Sequence, residues 1–123
     1  MWTTFSKQQS TQKILIPGEF NSVTTVTVPA DEGGIELVPL DAVNTVRFVN
    51  LSVAPTADSN GDPISIYIGT GIVPTPTLYS NEMLSGQNEY NLQINGQKIM
   101  AICETGKTLA VNVQIANAIV KTL

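Results

Sequence analysis

From Lys13 onward the chain is a succession of short runs in which apolar and polar residues take turns, separated by turn residues. Period-2 alternation is the mark of half-buried strands, because successive side chains of a strand point to opposite faces. Ile14-Leu15-Ile16 ends at the turn dipeptide Pro17-Gly18. Val23 to Val28 alternates and stops at Pro29, Asp31-Glu32-Gly33-Gly34 makes a loop, and Ile35-Glu36-Leu37-Val38 begins another extended piece. The strongest strand runs from Thr45 to Ala54, with Val46, Phe48, Asn50 and Ser52 on one face and Arg47, Val49, Leu51 and Val53 on the other. Ile64, Ile66 and Ile68 alternate with Ser65, Tyr67 and Gly69, and Tyr90, Leu92 and Ile94 with Asn91 and Gln93. Lys98 to Cys103 and Leu109 to Ile115 follow, with Ala116 to Thr122 as a separate final strand.

The punctuation between these runs is equally regular. Segment 57–63 reads as a hairpin-type connection in which Asn60-Gly61 supplies positive φ, and Asn95-Gly96 is the sharpest hairpin signal in the chain. Pro74 and Pro76 bar a central strand and leave Leu78 and Tyr79 extended at an edge. No helix-length 3.6 period is present. Strands recurring at about 8–12 residues predict a sandwich or jelly roll rather than βαβ units. The expected fold is therefore all-β: an antiparallel β-sandwich, jelly-roll-like, of about eight or nine short strands. Residues 1–12 are polar apart from Trp2 and Phe5 and read as an extended N-terminal arm before a single domain, 13–123.

Composition agrees with the pattern. The 123 residues include 14 Thr, 12 Val and 12 Ile, side chains that favour pleated sheets over helices. Charged residues are only 13% and the net charge is -4, so polarity rests on Thr and Asn. The absence of His removes the commonest general base and metal ligand. One cysteine, Cys103, excludes an intrachain disulfide and a multi-Cys zinc site. Six scattered cations against ten acids argue against phosphate-directed nucleic-acid binding. No apolar run is long enough for a membrane helix, and the first residues lack the apolar core of a signal peptide. These features disfavour an enzyme and favour a rigid module with no cofactor and no small-molecule substrate.

Candidate chemistry is sparse. Asp58, Asn60 and Asp62 stand at alternate positions, as the first oxygen ligands of a calcium loop do. However, Pro63 occupies the place of the required glycine and Gly69 that of the closing glutamate, so the expectation is an Asx-rich turn with no metal. Gly69-Thr70-Gly71 lacks the helix of a phosphate cradle. Cys103, on the apolar run Ile99–Cys103, reads as a buried hydrophobe, and Asp31-Glu32 as a solvated turn. Trp2 and Phe5 are the candidate protein–protein contacts: aromatic anchors in a polar arm either fold back over the sandwich or dock on a partner. A carbohydrate-binding face would need an aromatic platform, and Trp2, Tyr67, Tyr79 and Tyr90 are scattered along the chain.

The order of several segments resembles a known family. Val46-Arg47-Phe48-Val49-Asn50-Leu51-Ser52-Val53-Ala54 is followed by Ile64-Ser65-Ile66-Tyr67-Ile68-Gly69, Leu84-Ser85-Gly86-Gln87, Gln97-Lys98-Ile99-Met100-Ala101 and Thr108-Leu109-Ala110-Val111-Asn112-Val113. This succession is similar to the small β-sandwich virion proteins of tailed bacteriophages, over about residues 23–115. The resemblance implies a structural role on the virion, foremost a capsid decoration (cement) protein on the outer capsid surface, made in the host cytoplasm. Its implied partners are the major capsid protein and copies of itself, as a homotrimer, bound across capsomers. A tail, neck or fibre component is the alternative, and a carbohydrate-binding sandwich a remoter one.

Overall fold

The computed structural model describes residues 12–43, 45–87 and 89–123. They form nine strands: β1 Lys13–Pro17, β2 Thr24–Val28, β3 Ile35–Val38, β4 Val46–Val53, β5 Ser65–Thr70, β6 Asn81–Leu84, β7 Tyr90–Asn95, β8 Ile99–Cys103 and β9 Leu109–Thr122. No helix occurs among the described residues. One sheet has the order β1-β9-β4-β7, with β2 also on β9, and the other has the order β3-β8-β5-β6. All pairs are antiparallel. Nested pairing of first with last (β1 and β2 with β9, β3 with β8, β4 with β7, β5 with β6) is the jelly-roll wrapping of a long hairpin.

The core lies between the sheets. In β4 the inward set is Arg47, Val49, Leu51 and Val53, and its alternation is uninterrupted along the strand. Val111 and Val113 of β9 continue it within the sheet, and Ile66 and Ile68 of β5, Ile99 and Ala101 of β8 and Met83 of β6 complete the core from the other sheet. Burying such side chains stabilises by roughly 1.5–3 kcal/mol each, which makes this cluster the main source of stability. Arg47 is the buried exception: its guanidinium donates to the Pro39 carbonyl at 2.9 Å, while Nε has no partner among the described residues.

Four sequence expectations need correction. Leu109 to Thr122 is one strand of 14 residues rather than two, because β1 and β2 follow it along a single edge. The edge strand after the prolines begins at Asn81, not Leu78; residues 75–78 close a tight bridge, and Pro74 is buried against Gly69, where a Cβ would strike Pro74 Cδ at 2.9 Å. Asn95-Gly96 turns with Gly96 at φ 78, yet β7 and β8 lie in different sheets, so the turn makes no hairpin. Likewise 57–63 carries the chain from one sheet to the other, folded on itself by an Ala57–Pro63 bridge. Turn chemistry specifies local backbone, not which sheet the next strand joins.

Candidate docking surface

The connections leave the sandwich at two ends of opposite character. One end gathers the links β2–β3, β4–β5, β6–β7 and β8–β9, which carry Asp31, Glu32, Asp58, Asp62, Glu89 and Glu104 against Lys107 alone. At the other end β1 and the last residues of β9 continue past the sandwich. β4 leaves β9 at Arg47–Asn117, whereas β1 pairs with β9 from Pro17–Ala118 to Lys13–Thr122. A two-stranded ribbon therefore projects there, extended by a 2.9 Å bond from the Leu123 N–H to the Gln12 carbonyl.

The ribbon is apolar on both faces. Leu15 and Val120 are cross-strand partners on the outer face, and Ile16 and Ile119 on the inner. Ile14, Leu15, Ile119, Val120 and Leu123 are exposed, as are Leu40 (67%) and Val43 (78%) in the adjoining β3–β4 link. An isolated two-stranded ribbon is marginal in water, and clustered exposed apolar residues mark interaction surfaces. Asp41 fixes that link: its carboxylate accepts from the N–H groups of Val43 (3.1 Å) and Thr45 (3.2 Å). Hydrogen bonding from the Thr45 side chain and the Val43 backbone, with the nearby Arg47 charge, holds its pKa below the ordinary value.

Between β1 and β2 the chain leaves β9 and returns two residues out of step: Pro17 pairs with Ala118, but Thr24 with Val113. Asn21 bridges this gap, donating its N–H to the Ile115 carbonyl (3.0 Å) and accepting the Ile115 N–H on Oδ1 (2.8 Å). The bulged segment carries Phe20, which with Pro17, Phe48, Glu89, Asn91 and Gln93 lines a cleft of about 470 Å³ on the outer face.

Asp58 Oδ1 accepts from the N–H groups of Asn60 (2.8 Å) and Asp62 (2.9 Å), so Asn60 and Asp62 serve it through their backbones. No group of three His, Cys, Asp or Glu able to hold a metal exists among the described residues. Cys103 is buried, and desolvation raises its thiol pKa. Tyr67 and Tyr79 come together, with ring centroids 4.9 Å apart, whereas Tyr90 packs against the core. Trp2 and Phe5 lie outside the described residues, as does the arm apart from Gln12. Sequence reading missed the ribbon, Leu40, Val43 and the Phe20–Phe48 cleft. Three consecutive apolar residues at 14–16, which a strand must divide between both faces, were the available signal for the ribbon.

Fold and surface together define a jelly-roll sandwich with one apolar end. No family model matches the chain, and no curated protein matches it. A solved structure of Bacillus endospore appendages, described as a novel family of disulfide-linked pili, is similar over 88% of this chain and 91% of that one, at 10% identity and a TM-score of 0.46. A likeness that loose carries neither function nor partner to this chain.

Proposed function

We propose that this protein is a structural virion component of a tailed bacteriophage, of the capsid decoration (cement) type. It binds the outer surface of the shell across capsomers, with the major capsid protein and copies of itself as partners. The observation that supports this reading is the contrast between the two ends of the sandwich. The ribbon end presents Leu15, Val120, Leu40 and Val43, and the opposite end presents six carboxylates. Apolar area removed from water contributes about 25 cal/mol per Å², so the ribbon end attaches while the acidic end stays solvated. The binding surface asks for no catalysis, nucleic acid, membrane or small-molecule substrate.

The test is co-sedimentation of the full chain with purified shells of the phage that encodes it. Leu40→Asp with Val43→Asp is expected to abolish binding without lowering the melting temperature, since both side chains are exposed; Asp31→Asn with Glu32→Gln leaves binding intact. Absence of binding at high protein concentration overturns the proposal, as does binding that survives the first pair and is lost with the second.

A further inference from the structure

The ribbon has an open backbone edge. Beyond Asn117, β9 has β1 on one side and, among the described residues, no strand on the other. The Ile115 and Asn117 carbonyls accept from the N–H groups of Asn21 and Gly18, and the Leu123 N–H reaches Gln12, so odd-numbered residues of β9 serve the β1–β2 side. Alternate residues of an antiparallel strand serve opposite edges. Val120 and Thr122 therefore turn their N–H and C=O groups to the open side.

We propose that this edge pairs with the same edge of a second copy, antiparallel and centred on Val120, joining two ribbons into one four-stranded sheet across a two-fold axis. The edge is complementary to itself. Val120 exchanges both of its hydrogen bonds with Val120 of the second copy, and the Thr122 N–H meets the Ala118 carbonyl of the other chain. In this register the outer faces abut as Leu15, Val120, Val120, Leu15, an unbroken apolar stripe. On the inner face Lys121 lies opposite Ile119 of the second copy, which keeps the two Lys121 ammoniums from facing one another and lays each aliphatic stem on an isoleucine.

The side chains of the edge suit a second copy as the occupant, because this register meets apolar residue with apolar residue and keeps like charges offset. Lys13 and Lys121 are the only charged side chains on the two strands of the ribbon. Long edges usually carry lysine against such pairing; here both lysines stand at the tip of the ribbon, and Leu15, Ile16, Ile119 and Val120 behind them are apolar. A self-complementary contact closes at two copies, whereas the phage resemblance implied three. The inference does not rest on the virion reading, because it concerns the protein without shells.

Sedimentation equilibrium of the full chain is expected to show a monomer–dimer equilibrium. Val120→Pro removes an N–H that has no partner among the described residues, and is expected to weaken the dimer roughly ten- to a hundredfold through two lost donors per dimer. Its melting temperature reports whether the fold is kept. Register is read separately: Ile119→Cys mixed with Lys121→Cys gives a disulfide-linked dimer on oxidation, in far greater yield than either variant alone. Directly opposed residues of this kind have Cα atoms about 4.5 Å apart, within disulfide reach. This second measurement decides the matter even where Val120→Pro fails to fold. A monomer at high concentration, a trimer, an undiminished dimer in a folded Val120→Pro, or cross-linking indifferent to the mixture overturns the proposal. So does an oligomer lost in Trp2→Ala/Phe5→Ala but kept in Val120→Pro, which assigns the contact to the N-terminal arm.

Discussion

Asp58 illustrates how a carboxylate spaced like a metal ligand acts as a turn former. Its Oδ1 takes two backbone N–H groups, from Asn60 and Asp62. The hydrogen bond from the Asp62 backbone, then that from Asn60, lowers its pKa from the ordinary 3.8. Protonation would weaken both bonds, so folding and proton binding oppose each other at this site. The stabilisation is complete above the ordinary carboxylate value and is lost as pH falls through the lower folded value. Asp41 in the β3–β4 link behaves in the same direction. Urea midpoints measured downward from neutral pH should therefore drop on the acid side, with a shallower fall in Asp58→Asn. That variant keeps an oxygen acceptor but has no proton to gain. Asp58→Ala, which has no acceptor, should be less stable at neutral pH and equally shallow in acid.

The elements depend on β9. This strand serves β4 along one side and both β1 and β2 along the other, and Asn21 maintains the second side where the two registers disagree. Asn21→Ala leaves the Ile115 N–H without its side-chain acceptor and should lower stability by about 1–2 kcal/mol. Denaturant midpoints measure the loss, and faster amide exchange at Ile115 locates it. Strand identity was legible in the sequence because alternation survives wherever one face is buried: Val49, Leu51 and Val53 of β4 and Ile66 and Ile68 of β5 are inward as the pattern requires. The length of β9 was not legible. Its last residues are apolar on both faces, so Ala116 onward loses the alternation that defines a half-buried strand. The docking surface was hidden for the same reason. Ile14 and Leu15 look like core to a pattern reading, and only the early departure of β4 leaves them uncovered. Leu40 and Val43 carry no periodic signal, being loop residues made prominent by the position of their link.

At the scale of the whole molecule, six of the ten carboxylates stand at the end away from the apolar ribbon, and that separation sets the character of attachment. A protein with a net charge of -4 that met its partner through its acidic end would respond strongly to ionic strength. One that meets it through Leu15, Val120, Leu40 and Val43 would not, because hydrophobic burial does not act through the ionic atmosphere. Screening acts over about 10 Å at 0.1 M salt, and the carboxylates of the four acidic links stand at the far end of the sandwich from the ribbon. Association rate and affinity should then separate. If the shell surface is itself acidic, raising salt from about 0.05 to 0.5 M speeds binding by damping long-range repulsion, while the dissociation rate stays nearly constant. Surface plasmon resonance on immobilised shells across that range measures both. A dissociation rate that climbs steeply with salt would place ion pairs, such as those open to Lys13 and Lys121 on the ribbon, at the contact and would overturn an attachment carried by apolar burial.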